Sequence, residues 1–430
     1  MTARFDVSAT HELEARRHRC RLCGSDLRDV FVDLGMSPLC ESFLSADECD
    51  GMEPYFPLRP LVCAKCFLVQ IPEYVRPTEI FSDYAYFSSY SQSWVAHAER
   101  YCAAITRRLG LDAQSSVIEV ASNDGYLLQH FKPLGVPVLG IEPAANVAEA
   151  AIRRGIETRI EFFGSALAHR LVNEGRAADL IIGNNVLAQV PDLHDFVAGL
   201  RILLKPEGVV TLEFPHLQRL MAEVQFDTIY HEHFSYFSFL AIRNLAARHD
   251  LKIIDVETLP THGGSLRVYL ARAESRWPQE PSVACLLADE HQAGLDDMAT
   301  YSAFAGRVKR TKRDLLALLI ELRNAGKTIC GYGAPGKGNT LLNYCGIGPD
   351  FLDFTVDRNP HKHGRFTPGR HIPILPVAAI DIARPDYLLL LPWNLQTEIR
   401  AQMRHIASWG GRFIVPIPTP RIIHAEECMP

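Results

Sequence analysis

Between about residue 115 and residue 272 the chain alternates short apolar runs with stretches of helical periodicity. "SSVIEVAS", "VPVLGIEP", "IETRIEFF", "ADLIIGNN" and "GVVTLEFP" read as strands; "AANVAEAAIRRG" and "LHDFVAGLRILL" read as helices between them. Such alternation predicts a parallel sheet covered on both faces. Two more strands, "LKIIDVETL" and "GSLRVYLAR", follow around a short glycine-containing loop. A helix from about Trp94 to Leu109 precedes this region, and helical patterns from about Ser282 to Asn324 follow it. A second α/β set then begins with "KTICGYGAPGKGNTLLNYC" and continues through "FLDFTVDRN", "DYLLLLPW" and "GGRFIVPIP".

A length of 430 residues exceeds one ordinary core. Three units are expected: residues 1–90, rich in cysteine, proline and aromatics; 91–280, the first α/β region; and 281–430, the second. Five α/β units closed by a hairpin are the order of a class I methyltransferase domain. A dinucleotide fold more often continues with a parallel sixth strand. The fold class is therefore α/β, with two Rossmann-like domains behind a small N-terminal one.

Net charge is −6, which argues against a broad phosphate-binding face and hence a nucleic-acid partner. No apolar run is long enough to span a bilayer, and "MTARFDVSATHELEARRHRC" lacks the apolar core of a signal peptide. A cytoplasmic protein with reduced thiols, monomeric or weakly dimeric and not membrane-bound, is expected.

Of eleven cysteines, four form two C-x-x-C pairs, Cys20 with Cys23 and Cys63 with Cys66. Two residues between thiolates let a tight turn aim both sulfurs at one ion, so the pairs read as a closed, structural Cys₄ zinc site. Redox thiols are the alternative.

Two segments suit nucleotides. In "VIEVASNDGYLL" a strand ends at Glu119 and turns through Ser122, Asn123, Asp124 and Gly125 into a helix, with Gly125 free to take positive φ beside a ligand. The next strand ends in Glu142, the position of an acid that grips ribose hydroxyls. A carboxylate in the first turn disfavours a pyrophosphate and suits a sulfonium cofactor with a cationic amino-acid end. In "GYGAPGKGN", Gly331, Gly333 and Gly336 have G-x-G-x-x-G order, Asp357 lies further on, and Lys337 adds a cation at a helix start. That pattern suits NAD(P) or another nucleotide diphosphate.

"YHEHFSYFS", residues 230–238, is the densest polar cluster. His231 and His233 are two apart, unlike the i, i+4 pair of a helical metal motif. A structural histidine pair and a catalytic pair are both open. Following the fifth strand, the stretch is expected over the carboxyl edge of the sheet, where a histidine suits general base work.

Together, "CRLCG", "CAKCFLVQ", "FSDYAYFSSYS", "EVASNDGYLL", "YHEHFSYFS", "HGGSLR" and "GYGAPGKGNTLLNYC" resemble the nucleotide-sugar C-3′-methyltransferases, from Cys20 to about Ile417. The resemblance implies an N-terminal zinc domain, a middle S-adenosylmethionine domain and a C-terminal Rossmann-like domain. A nucleotide-sugar, expected to be a dTDP-linked 4-keto-deoxyhexose, binds between the last two. It also implies His233 as base, with Tyr230, Glu232 and Tyr84 as further catalytic groups. Glu119, Ser122, Asn123, Asp124, Gly125, Glu142, Phe162 and Asn184 fall to the cofactor. Gln189, His262, Gly333, Lys337 and Asn339 fall to the substrate. Gln189 departs from the family, whose members often carry histidine there; an amide hydrogen-bonds but moves no proton at neutral pH. The alternative reading is an NAD(P)-dependent ketoreductase, or a methyltransferase with added ketoreductase activity.

Overall fold

A computed structural model describes residues 18–81 and 87–425; Tyr84 lies outside them. The N-terminal strands are β1 (Asp29–Val30), β2 (Met36–Ser37), β3 (Phe56–Pro57), β4 (Leu61–Val62) and β5 (Val69–Gln70). The middle region contributes β6 (Val117–Val120), β7 (Val138–Ile141), β8 (Thr158–Arg159), β9 (Ala178–Asn184), β10 (Leu204–Pro215), β11 (Ser235–Tyr236), β12 (Leu251–Leu259) and β13 (Ser265–Arg272). The last region contributes β14 (Ile329–Tyr332), β15 (Thr355–Asp357), β16 (Ile374–Pro376), β17 (Tyr387–Leu390), β18 (Arg412–Val415) and β19 (Arg421–His424).

The middle sheet has the order β12-β13-β10-β9-β6-β7-β8. Strands β6 to β10 run parallel, and β13 is antiparallel to both β10 and β12. This is the class I methyltransferase sheet, closed by the hairpin. The last sheet has the order β16-β15-β14-β17-β18-β19, parallel except for β19. It is the second Rossmann-like domain. In each sheet the chain reverses its direction of travel, between β6 and β9 and between β14 and β17. Crevices form at the carboxyl ends of such strands.

Burial explains the strand patterns. Ile329, Leu388, Leu389 and Leu390 are fully buried, and each such side chain contributes about 1.5–3 kcal/mol. The helix Gln92–Leu109 buries Trp94, Ala98, Tyr101, Cys102 and Ile105, the spacing of one helical face. Ser91 caps it by accepting from the Trp94 N–H, and Gly110 closes it in the left-handed region.

Some elements differ from the sequence pattern. The chain after Gly125 forms two 3₁₀ turns, Leu128–His130 and Lys132–Leu134, in place of an α-helix. Pro133 donates no backbone hydrogen bond, and Gly135 reverses the chain in the left-handed region. Only Thr158–Arg159 of "IETRIEFF" pairs as strand; Ile160 and Phe162 are exposed beyond it, at the sheet edge. The helical stretch near Ser282 is two helices, Pro281–Gln292 and Met298–Asn324. The first packs Val283 and Leu286 into the methyltransferase core, the second lies in the C-terminal one.

The described residues of the N-terminal region share the cores of the other two. Phe31 stacks on Phe304 at 4.6 Å within a cluster that also holds Leu319 and Leu389. Its main sheet has the order β1-β4-β5-β11, so its edge strand comes from the "YHEHFSYFS" stretch. Ser235 pairs with Gln70, and Tyr236 with Val69. No helix among the described residues is long and apolar enough to cross a membrane.

Candidate active site

The turn after β6 holds Ala121, Asn123 and Gly125 at φ of 57°, 49° and 77°. This winding brings the Asn123 N–H to Glu142 Oε2 at 2.9 Å, while Glu142 Oε1 accepts from Ala144 N–H at 2.9 Å. Glu142 is thus fixed at the end of β7 with lone pairs to spare. Burial raises its pKa, and burial raises that of Glu119 much further, with Glu142 and Asp124 adding to it.

Both Glu119 oxygens, Ser122 Oγ, one Asp124 oxygen and Asn184 Oδ1 are buried without a hydrogen-bond partner. Buried polar groups are normally paired. Of these residues only Asn184 reaches the adjoining cavity, where it and Glu142 offer acceptors suited to the ammonium and hydroxyl donors of S-adenosylmethionine. Asn123, Glu142, Phe162 and Asn184 line the adjoining cavity. Glu119, Ser122, Asp124 and Gly125 lie off its wall. Gly125 requires correction as a point of ligand approach: a Cβ there meets Ile156 Cγ1 at 3.1 Å and Ala151 Cβ at 3.3 Å. The glycine serves the turn and close packing on the helix Ala145–Arg153.

That cavity, of about 1060 Å³, reaches from the methyltransferase crevice to the C-terminal one. Pockets for a single drug-sized ligand run about 300–1,000 Å³, so this one stands at the top of that range while spanning both crevices. Tyr230, Glu232, His233, Gln189 and His262 line it from one side, Gly333 and Lys337 from the other. Phe81 and Phe87, which flank the stretch containing Tyr84, line it too.

Pairing of β11 with β5 sets the two histidines apart. His231 turns into the N-terminal region, with Nε2 at 3.2 Å from the Pro57 carbonyl and its ring edge-on to Phe56. His233 turns into the cavity, with Nδ1 at 3.2 Å from the Thr228 carbonyl. A carbonyl only accepts, so Nδ1 carries the proton and Nε2 presents a lone pair. Burial lowers both histidines to about 4, so both are neutral at pH 7. Tyr230 lies against His233, ring centres 4.2 Å apart. Glu232 accepts from the Cys40 thiol at 3.4 Å.

His231 has a measurable consequence. Between the ordinary histidine value near 6.5 and about 4, the unfolded chain binds a proton that folded His231 refuses. Its contribution is complete above about pH 6.5 and is lost as pH falls through that window. Relative to His231→Gln, the wild type is expected to lose about 2 kcal/mol more between pH 7 and pH 5. Urea unfolding at the two pH values checks this; parallel losses reject it.

His262 sits at φ 54°, edge-on to Trp94 at 4.9 Å. Its Nε2 accepts from Asn185 Nδ2 at 3.0 Å, and burial, then Lys337, holds it near 4. Lys337 Nζ donates to Asn394 Oδ1 at 3.0 Å and lies 5.2 Å from the Trp393 ring centre. Burial lowers the Lys337 pKa, and Asp227 opposes that. Asp227, itself raised by burial to about 6, accepts from Trp393 Nε1 at 2.6 Å. Sequence reading missed Asn185, Asp227 and Trp393, which carry no motif and meet only in the fold. Asn339 is a correction. It lies off the cavity wall and gives its amide to the Cys40 carbonyl at 2.6 Å, because its position on the helix Gly336–Cys345 faces the N-terminal region.

The four knuckle cysteines converge, all sulfurs within 4.8 Å of one another. Cys20 and Cys66 are 3.4 Å apart, Cys23 and Cys63 3.5 Å; tetrahedral metal–sulfur bonds of about 2.3 Å need about 3.8 Å. The hydrogen bond from Cys66 lowers the Cys20 pKa, the direction that favours the metal-binding thiolate. Among the described residues this is the one such group of potential ligands, and His231 and His233 are not in it. Gln70 donates to Cys20 Sγ at 3.2 Å and sits opposite Ser235. Arg21, inside the first knuckle, clamps the carbonyls of Phe234 and Ile71. Gln70 and Arg21 thus join the cysteine cluster to the stretch 230–238.

Three family models match the chain in succession. One is described as "Putative zinc binding domain", over residues 20–81. The second is a methyltransferase domain, over 94–256, and the third a C-methyltransferase C-terminal domain, over 260–418. C-methyltransferase NovU of Streptomyces niveus is 37% identical over 410 residues, covering 95% of this chain and 98% of its own. The chain belongs to the C-methyltransferase family. A ubiquinone biosynthesis O-methyltransferase of Bartonella bacilliformis is 24% identical over 116 residues, 26% of this C-methyltransferase and 47% of that protein. Magnesium protoporphyrin IX methyltransferase (ChlM) from Synechocystis, solved with bound SAM, superposes at a TM-score of 0.31 and 14% identity. It covers 42% of this chain and 81% of its own.

Proposed function

We propose that this C-methyltransferase methylates C-3 of a nucleotide-linked 4-keto-deoxyhexose, with dTDP as the nucleotide diphosphate, in the making of a branched deoxysugar. The reading rests on one observation above all: a neutral imidazole, His233, with Nε2 unprotonated, in a cavity shared by both crevices. Carbon is a poor nucleophile until deprotonated, and a neighbouring ketone makes that proton removable.

His233 Nε2 takes the C-3 proton, and the Thr228 carbonyl holds the ring and favours the imidazolium that results. Tyr230, Glu232 and Tyr84 position the substrate and stabilise the enolate oxygen. S-adenosylmethionine, held by Asn123, Glu142, Phe162 and Asn184, supplies the electrophilic methyl group. Lys337 and Arg358, both on the cavity wall, answer the phosphates of the substrate. Gln189 contributes an amide to substrate binding. Zinc in the four-cysteine cluster takes no chemical part and holds the N-terminal region in shape. Residues 1–90, 91–280 and 281–430 are the units that share this work.

A dTDP-linked 4-keto-deoxyhexose in heavy water tests the reaction. Deuterium is expected at C-3, dependent on His233, and the methyl of labelled S-adenosylmethionine is expected on that carbon. Label on oxygen or nitrogen, or no turnover across a panel of nucleotide-linked ketosugars, removes the reading.

A further inference from the structure

The G-x-G-x-x-G turn has the geometry of a dinucleotide fingerprint, yet this chain fills it. Gly331 passes so close to β15 that a Cβ meets Thr355 Oγ1 at 2.6 Å, and Gly333, at φ +85°, would meet Pro392 at 2.6 Å. Those glycines serve packing. At Gly336, the start of the helix, a Cβ would meet Cys40 Sγ at 2.8 Å and Glu41 Oε1 at 3.2 Å. The Glu41 carboxylate therefore lies against the first turn of the helix; burial raises its pKa, and Lys362 opposes that. Lys362 Nζ, bonded to the Ala334 carbonyl at 2.8 Å, reaches Glu41 Oε2 at 3.2 Å. The acid of the next strand is engaged as well: Asp357 accepts from Ala334 N–H at 2.7 Å and Asn359 N–H at 2.8 Å.

The carboxylate comes from a strap pinned across the domain. Leu44 and Phe366 exchange backbone hydrogen bonds, and Asn339 holds the Cys40 carbonyl. The Cys40 thiol then reaches Glu232.

We propose that Glu41 is the resident anion of the glycine-rich turn and a specificity determinant: it takes the place of a dinucleotide pyrophosphate and bars that class of cofactor. A dinucleotide pyrophosphate seated on the start of this helix meets that carboxylate at close range, with Lys362 already paired to it, whereas the phosphates answered by Lys337 and Arg358 lie further along the cavity wall. The strap that brings Glu41 also sets Glu232. The inference concerns the turn and stands whether or not the acceptor is a sugar.

Calorimetry on the full chain with inorganic pyrophosphate tests it. Glu41→Ala is expected to gain one pyrophosphate site at least about tenfold tighter than any the wild type shows. Adding Lys362→Ala is expected to abolish the gain. Equal affinities in wild type and Glu41→Ala, tight or unmeasurably weak, overturn the proposal. So does a gain that survives Lys362→Ala, or NADPH binding to the wild type that pyrophosphate displaces. S-adenosylmethionine binding checks each fold; if Glu41→Ala loses it, Glu41→Gln keeps the shape without the charge and is read by the same criteria.

Discussion

With His233 replaced by asparagine, kcat for methyl transfer is expected to fall by about 10²–10⁴-fold, the span a positioned general base contributes. Asparagine keeps a donor for the Thr228 carbonyl, so local structure is preserved while the basic nitrogen is lost. S-adenosylmethionine affinity is expected to hold, since Asn123, Glu142 and Asn184, proposed to hold it, lie at the carboxyl ends of β6, β7 and β9. Single-turnover methyl transfer beside equilibrium cofactor binding separates the two effects. Wild-type turnover in His233→Asn removes the imidazole from the chemistry. In the unaltered enzyme His233 is neutral down to about pH 4. Its ionisation therefore leaves kcat/KM flat from neutral pH downward until pH nears that value.

Stripping the four-cysteine cluster is expected to be as damaging as losing the base, although its sulfurs touch no reacting atom. Structural zinc contributes about 10–16 kcal/mol in small peptides, comparable to the whole stability of a typical domain, about 5–15 kcal/mol. On the proposal that zinc sits there, its loss would free the Cys20 knuckle, and with it Arg21 and Gln70, which hold β5 against β11. Chelation is expected to abolish turnover and to expose amides of residues 230–236 to hydrogen exchange, while S-adenosylmethionine still binds. Full amide protection at Ser235 and Tyr236 after metal removal would reject the coupling.

Much of this architecture was legible from residue order. Seven apolar runs mapped onto the middle sheet because buried parallel strands need little beyond β-branched and apolar content. The C-x-x-C pairs announced their convergence because thiols at that spacing have few other uses. Two-residue strands carry no periodicity, so the pairing of Ser235 with Gln70 left no trace in the pattern. In the glycine-rich turn the pattern alone names no partner: glycine permits close approach by any group, and at Gly336 that group is the chain's own Cys40 and Glu41. The family resemblance put Asn339 with the substrate, but a helix turns 100° per residue, and this position faces the N-terminal region.

Completing the small first sheet with β11 also governs how the molecule is made. Residues near Phe31, Val32 and Leu34 leave the ribosome early, but the aromatic surface that covers them, Tyr301 and Phe304, is translated some 270 residues later. Until then they remain greasy and uncovered. A fragment ending before the helix Met298–Asn324 should therefore clump rather than fold, and folding of the complete chain should be slow, because so many of its contacts join distant parts of the sequence.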